Sequence, residues 1–410
     1  MGRLFQKIIS PSLSPNTEAE DVQEAIRVLI HPSTWKQGSA IVEVEQWFTT
    51  FLNASTVVSF DSGRSALLAI LRAFCIGNDD EVLVQAFTCV AVPNSVRWAG
   101  ATPVYVDIDD RFNVDPEDLE KKITKRSKAI VVQHTFGVPA QMDKILAVAK
   151  KHRLLVIEDC AHSLGATYGG KRVGTLGDAA FFSFGRDKVI SSVWGGMATI
   201  SQKSKVKSQK LRELQEELSF PSRAWIAQQL FHPIAFAVIL PTYNIFIGKM
   251  LLEAFKKLQL LSVPVYKEEK RGGQPSEFPR RYPNALAKLL VVQLTKLNRY
   301  NDQRRRIARY YYEVLKRRKD ITVPVWNEEG LWLRFPILVD NPSDTMRRGK
   351  DNGILLGNWY HHVVDPIGVD VRAVGYTRGS CPGAEKTAAR IINLPTRVTE
   401  ECAGRVVAIL

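Results

Sequence analysis

The chain has 410 residues, a formal net charge of +14 and a hydrophobic fraction of 45%. These values are typical of a globular protein with two domains and a large core, and the positive charge favours anionic partners such as nucleic acid, an acidic membrane surface or a phosphorylated substrate. The five cysteines form no CxxC pair and have no metal-ligand spacing, which excludes a recognisable metal or redox motif. They predict reduced thiols in a cytoplasmic protein without a metal site.

Residues 1–54 are predicted to form an N-terminal arm and an opening helix. The first twelve residues contain no apolar run long enough for a signal peptide. Thr17 to Glu20 resemble a helix cap, and Val22, Ile26 and Leu29 follow at helical spacing.

Strands and helices alternate between residues 55 and 205. Short apolar runs predict strands, and one longer periodic run predicts a helix over 142–152; the strands are 57–60, 79–84, 102–109, 129–133, 154–157 and 179–184. This alternation predicts an α/β fold with a doubly wound, largely parallel sheet and a site at the carboxyl ends of its strands.

The first predicted strand runs into a glycine turn that opens a helix. The turn reads Asp61-Ser62-Gly63-Arg64-Ser65. Backbone N–H groups and the helix dipole at such a turn attract phosphate. Gly63, Arg64 and Ser65 are therefore candidate phosphate-binding residues, although turns of this kind are common.

Two later strands end in residues with complementary chemistry. The run Leu154 to Ile157 is followed by Glu158 and Asp159, and the run Ala179 to Phe184 is followed by Lys188. Each residue alone is more typical of a cap or a solvated loop. Together they are typical of a pyridoxal phosphate (PLP) site, because this cofactor needs an amine for a Schiff base and a carboxylate facing its ring nitrogen.

The motifs VIEDCAH and GDAAFFSF, a lysine five residues after Ser183 and the pair Gly195-Gly196 resemble the DegT/DnrJ/EryC1/StrS family of PLP-dependent sugar aminotransferases. The resemblance covers roughly residues 30–200 and 283–410. It implies a fold-type I PLP-dependent transferase with a large PLP-binding domain over 55–205, a smaller C-terminal α/β domain over 283–410, and a homodimer.

The resemblance also implies roles for individual residues. Lys188 holds PLP and moves the proton, and Asp159 keeps the pyridine nitrogen protonated. Ser183 binds phosphate, and His162 stands where the family usually has a glutamine that contacts the phenolic oxygen.

This sequence departs from the family pattern at several places. Arg64 replaces the usual threonine, so that a cation stands in place of a hydroxyl. Cys89 occupies the position of the usual ring-stacking aromatic; Phe87 is the candidate substitute, and a less tightly covered ring is the alternative. The usual phosphate-binding asparagine near residue 280 is absent, and Arg280 and Arg281 are candidates to replace its contact.

Residues 206–282 have no counterpart in the family pattern and are predicted to be an insertion. The segment 224–248 contains no Asp, Glu, Lys or Arg, and lysines follow it. A membrane span is disfavoured because it would separate Lys188 from the C-terminal domain, and Pro233 and Pro241 are expected to interrupt a helix. Peripheral contact with a membrane and a buried or dimer-contact hairpin remain as alternatives.

Residues 283–410 are predicted to begin with a helix and to contain a strand over 333–339. The run Arg304 to Arg306 is interpreted as a solvated helix face, because no nucleic-acid-binding motif accompanies it. No nucleic-acid partner is therefore expected.

The family resemblance implies the reaction. An amino group moves from an amino acid, with glutamate as the usual donor, to a keto sugar carried on a nucleoside diphosphate, for the synthesis of cell-surface glycans or sugar metabolites. The family also contains sugar dehydratases that lack the lysine, and Lys188 argues against that reading. A non-catalytic, membrane-associated regulator or scaffold on the same fold is the alternative from a different class.

Overall fold

The computed structural model describes residues 8–54, 56–201 and 205–410. Its helices in chain order are α1 Ala19–Leu29, α2 Ser39–Leu52, α3 Gly63–Ala73, α4 Ala91–Trp98, α5 Pro116–Lys121, α6 Met142–His152, α7 Lys205–Glu216, α8 Arg223–Thr242, α9 Ile247–Lys257, α10 Asn284–Leu294, α11 Leu297–Leu315, α12 Pro342–Asp351, α13 Pro382–Ala388 and α14 Glu400–Ala408. Its strands are β1 Thr56–Phe60, β2 Glu81–Gln85, β3 Thr88–Cys89, β4 Thr102–Val106, β5 Ser127–Gln133, β6 Leu155–Asp159, β7 Thr167–Tyr168, β8 Lys171–Arg172, β9 Ala179–Ser183, β10 Gly196–Ile200, β11 Arg334–Leu338, β12 Val364–Asp365 and β13 Ile391–Pro395.

The large domain is built around a seven-stranded sheet with the order β1-β10-β9-β6-β5-β2-β4. Neighbouring strands are parallel except for the two pairs that involve β10. Apolar side chains of the inner strands are buried on both faces, as in Val82 to Val84 and Ile130 to Val132. The prediction of an α/β fold with a largely parallel sheet is confirmed. The carboxyl ends of β5, β6 and β9 lie at one edge, where such sheets bind ligands.

The C-terminal part packs helices against a smaller antiparallel pair, β11 and β13. Ile307, Tyr311, Trp332, Phe335 and Ile337 are buried in its core. The predicted strand over 333–339 is confirmed as β11.

The interpretation of the arginine run in α11 as a solvated face is wrong for Arg304. This side chain is fully buried, and it donates to Asn16 and to the Val189 carbonyl. Arg306 of the same run is exposed. The helix turns by about 100° per residue, so three successive arginines cannot share one face.

The helices α8 and α9 form a hairpin in the region predicted as an insertion. The expectation that prolines interrupt the first helix is wrong, because α8 continues through Pro233. Helix α8 packs against α1 and α10, and its buried side chains include Ile226, Leu230 and Ile239. Among the described helices it is long and apolar enough to cross a bilayer, but 44% of its apolar window is buried inside the protein. Such a helix is also typical of a protein core.

Candidate active site

A cavity of about 370 Å³ opens where β5, β6 and β9 end and α3 begins. The strand-terminal residues Gln133, Asp159 and Ser183 contribute to its wall. Seven residues that the sequence singled out line this cavity: Gly63, Arg64, Cys89, Asp159, His162, Ser183 and Lys188. Residues that are up to 125 positions apart in the sequence are therefore assembled around one space.

Lys188 lies in the turn after β9, and its amine is in contact with His162. Lys188 Nζ is 3.0 Å from His162 Nε2, and the backbone N–H of Phe136 donates to His162 Nδ1 at 3.3 Å. Since Nδ1 accepts a hydrogen bond, the single hydrogen of the neutral imidazole resides on Nε2. That N–H donates to the amine lone pair, which an unprotonated lysine offers.

The electrostatics agree with this assignment. Burial lowers the pKa of Lys188, and burial together with the Lys188 charge lowers the pKa of His162 well below its usual value. Burial also raises the pKa of Asp159. Burial therefore shifts all three groups towards their neutral forms. A bound cation beside Asp159 would restore its negative charge.

Asp159 and its neighbour Glu158 project to opposite faces of β6. Asp159 lines the cavity and accepts from the Ala161 N–H at 3.0 Å. Glu158 faces away and accepts from the backbone N–H groups of Gly174, Leu176 and Gly177. The two acids at this strand end therefore have different functions, and Glu158 fixes the loop before β9.

Glu158, His134 and Cys160 place potential metal ligands within 4.8 Å of one another. Their hydrogen bonds argue for a structural group. His134 Nε2 is 3.1 Å from Glu158 Oε2, and His134 Nδ1 accepts from the Ala140 N–H. Both ring nitrogens are therefore already paired.

The amino terminus of α3 forms a compact wall of the cavity. Ser62 caps this helix by accepting from the Ser65 N–H. A Cβ at Gly196 would lie 2.3 Å from the Ser62 carbonyl carbon, and one at Gly63 would lie 3.0 Å from Ser183 Cβ. Glycine at both positions lets the turn approach β9 and β10, which brings the helix terminus close to Ser183.

The charge of Arg64, which was expected to attract phosphate, is paired within the protein. Its guanidinium forms an ion pair with Glu269 and donates to the Pro264 carbonyl at 2.8 Å. It also lies 4.9 Å from the ring centres of both Trp194 and Phe278. Its charge is thus engaged by residues that follow α9, and it anchors this segment over the cavity.

Two other candidates lie outside the cavity wall. Ser65 is buried, and its hydroxyl pairs with that of Ser62 at 2.9 Å. Phe87 is buried behind the wall, with its ring 5.4 Å from Tyr360 and 6.1 Å from Phe136. The expectation that Phe87 covers the cofactor ring is therefore not met in this structure, because its backbone turns the ring into the core.

Arg280 and Arg281 also lie away from the cavity. Arg280 donates to Ser219 and to the Ser276 carbonyl, and Arg281 stacks on the Phe220 ring. Within one chain, these arginines do not take over the contact of the missing asparagine.

Several cavity residues were missed from the sequence. Trp359 and Tyr360 cover the cavity from the C-terminal domain, and the Trp359 ring centre is 5.0 Å from Lys188 Nζ. Asp187 lies beside Lys188, and Arg334 lies behind Trp359. The position of Asp187 next to the lysine was the one local signal. The others depend on how the two domains pack.

These residues fit PLP in its principal contacts. The cavity supplies an unprotonated lysine amine, a buried carboxylate at a strand end, and a helix amino terminus beside a serine hydroxyl. The two sequence candidates for ring stacking fit less well: Cys89 lines the cavity but is not aromatic, and Phe87 does not line it.

Comparison with known proteins gave matches over most of the chain. A sequence model of the DegT/DnrJ/EryC1/StrS aminotransferase family matches residues 16–219 and 251–410, leaving 220–250 unmatched. GDP-perosamine synthase from Caulobacter vibrioides is 47% identical over 41% of this chain, and the match spans 46% of that relative, less than half its length. A pleiotropic regulatory protein from Geobacillus stearothermophilus is 28% identical over 94% of this chain and 92% of its own length. Among solved structures, S. venezuelae DesV in complex with a ketimine intermediate is 25% identical, with a TM-score of 0.73 over 95% of this chain and 93% of that one.

Proposed function

Because the chain belongs to the DegT/DnrJ/EryC1/StrS aminotransferase family, we propose that it is a PLP-dependent aminotransferase. Its amino donor is an amino acid, with glutamate the first candidate, and its acceptor is a keto sugar on a nucleoside diphosphate. The observation that carries this proposal is the cavity in which Lys188 Nζ lies 3.0 Å from His162 and Asp159 forms the wall. The name of the relative GDP-perosamine synthase supports a nucleotide-sugar acceptor.

Each cavity residue has a part in the proposed reaction. When bound, PLP supplies an electron sink for the bond broken at the donor's α-carbon. Lys188 acts as a general base at Nζ: it takes the α-proton and returns it to the product. Burial lowers the pKa of this amine, which favours the unprotonated form that a base requires. Asp159 holds a proton on the ring nitrogen, and His162 donates its Nε2–H to an anionic oxygen.

Lys188→Ala tests this function directly. The purified variant is expected to lose the visible absorbance of Lys-bound PLP and nearly all amino transfer to a panel of keto-sugar nucleotides. Lys171→Ala, which changes an exposed lysine in β8, is the control and is expected to retain both. A Lys188→Ala protein with wild-type turnover would refute the proposal.

The second candidate function is a non-catalytic regulator. The relative from Geobacillus stearothermophilus, which the chain matches over 92% of that relative's length, is named a pleiotropic regulatory protein. This name favours a regulatory function. A regulator would leave every keto-sugar nucleotide in the panel unchanged even when the wild-type protein binds PLP. Amine transfer by the wild-type protein would exclude this alternative.

We further propose that the protein is a homodimer whose sites exchange residues. Family resemblance supports this, as does the small number of phosphate ligands that the motifs of one chain supply. Light scattering of the active protein is expected to give about twice the chain mass of 46.1 kDa. A fully active monomer would contradict the proposal.

We also propose a cytoplasmic location at a membrane surface, and the exposed side chains of the α8–α9 hairpin support the membrane contact. Of the fifteen large hydrophobic side chains exposed in the described residues, eight lie between 238 and 263, including Phe246 at 64% and Met250 at 62%. Lys249, Lys256 and Lys257 lie in the same helix. Apolar side chains flanked by lysines are typical of peripheral binding to anionic lipid.

The membrane proposal is tested by flotation with vesicles containing phosphatidylserine. Phe246→Glu is expected to lower the bound fraction, whereas Val314→Glu, at a side chain 40% exposed outside the hairpin, is expected to leave it unchanged. If the wild type does not bind the vesicles and Phe246→Glu dissociates the dimer, the membrane proposal is refuted and the hairpin is a subunit contact.

A further inference from the structure

Arg334, at the start of β11, is a buried cation without adequate partners. Its side chain is 1% exposed, and Nε, Nη1 and Nη2 have no hydrogen-bond partner within the described residues. Asp187 Oδ2 is 3.8 Å from Nη2, too far for a hydrogen bond. Asp187 Oδ1 is unpaired as well. The Arg334 guanidinium and the Asp187 carboxylate therefore face each other without forming a hydrogen bond.

This guanidinium lies beside the reacting amine. Its central carbon is 3.6 Å from the ring centre of Trp359, and Lys188 Nζ is 5.0 Å from the same point. The two cations are therefore separated by no more than the sum of these distances. Asp187, Trp359 and Tyr360, which surround Arg334, all line the cavity. The guanidinium thus lies directly behind the cavity wall.

Burial of an unpaired guanidinium is costly, and natural proteins pair such groups with planar anions. Burial lowers the pKa of Arg334 to about 10, so the group remains charged at neutral pH. A carboxylate can accept two parallel N–H bonds from it. The backbone approaches the guanidinium closely at Gly357, where a Cβ would lie 3.1 Å from Nη1.

We propose that Arg334 binds the carboxylate of the amino donor, with Asp187 as the internal carboxylate that faces it when no donor is present. This inference rests on the proposed aminotransferase function. An amino acid whose nitrogen lies near Lys188 Nζ carries its carboxylate only two bonds away, which suits a guanidinium that lies against the same tryptophan ring as Lys188. A nucleoside diphosphate is much larger than an amino acid, and the narrow access to a side chain that is 1% exposed favours the smaller ligand.

Equilibrium binding of glutarate provides the primary test, because this dicarboxylate has no amine and cannot react. Calorimetry on the PLP-loaded protein is expected to give a Kd for glutarate that rises about ten- to a hundredfold in Arg334→Gln, in line with loss of a charge-assisted hydrogen-bond pair. Arg334→Lys is expected to restore part of the affinity, because it keeps the charge without the planar fork. Arg305→Gln is the control, since that arginine already donates to the carbonyls of Gly165 and Gly330.

The two half-reactions give a second readout. The glutamate concentration for half-maximal loss of the PLP absorbance is expected to rise in Arg334→Gln, with the acceptor half-reaction unchanged. Weaker binding of GDP in place of glutarate would overturn the inference by assigning Arg334 to the nucleotide. Unchanged glutarate binding in a folded Arg334→Gln or Arg334→Lys protein would also overturn it. Glutarate binding is measured without turnover. A protein that binds glutarate but transfers no amino group would therefore contradict the proposed function and not the assignment of Arg334.

Discussion

The Asp61 carboxyl, which follows β1, is expected to make the stability of the protein fall as pH rises. The side chain is 1% exposed, Oδ2 has no hydrogen-bond partner, and burial raises its pKa from 3.8 to about 7. Between these values the folded state holds a proton that the unfolded state releases, so stability decreases with increasing pH. A shift of about 3 pH units corresponds to roughly 4 kcal/mol. The destabilisation by Asp61 is absent below about pH 4 and reaches its full size above about pH 7.

Asp61→Asn removes this titration and keeps the size of the side chain. The free energy of unfolding of the variant minus that of the wild type is expected to increase by about 4 kcal/mol between pH 4 and pH 8. Urea unfolding of the PLP-free protein at several pH values measures this difference, in which the other titrating groups cancel. Asp302→Asn, at a carboxylate 76% exposed, controls for removal of a charge. A difference for Asp61→Asn that stays constant or falls with pH would refute the assignment.

Three further substitutions test the site and its support. Asp159→Asn is expected to bind PLP but to transaminate at least about a hundredfold more slowly, a loss of roughly 3 kcal/mol in barrier lowering; a drop of less than fivefold in measured turnover would count against the role of this carboxylate. His162→Gln keeps an N–H donor and is expected to retain most activity, whereas His162→Leu is expected to lose at least about tenfold in turnover, a difference that equal rates would disprove. Glu158→Leu leaves several buried N–H groups unpaired and is expected to lower the free energy of unfolding by about 3 kcal/mol or more, as measured by urea unfolding, with unchanged stability as the contrary result.

The sequence predicted the elements that depend on local patterns. Apolar runs marked the strands of the large sheet, and helix α6 begins and ends at the predicted residues. The carboxyl ends of parallel strands must meet at one edge, so Asp159 and Lys188 could be placed in one cavity before the fold was known. Ser183 and Lys188 are only five residues apart, so their proximity could also be predicted from the sequence.

The remaining features depend on contacts between distant residues. Arg64 pairs with Glu269, 205 positions away, and Ser14 contacts His232, 218 positions away. The residues that cover the cavity come from the C-terminal domain, whose position over the sheet follows from packing rather than from a motif. The extent of the insertion also could not be read from motifs. The sequence suggested residues 206–282, whereas the family model leaves only residues 220–250 unmatched.

One departure from the family pattern, Arg64, is integrated into the packing around the cavity. Arg64 lies 4.9 Å from the Trp194 ring centre, and the Trp194 indole N–H donates to Ser262 Oγ at 2.8 Å. Ser262 also accepts from Arg186 through its carbonyl, and Pro264 of the same segment accepts from Arg64 and lines the cavity. Arg64 therefore takes part in a connected set of contacts that closes one side of the cavity. A scaffold in which the site has decayed would not need such contacts, so the position of Arg64 favours an enzyme with a modified cavity wall.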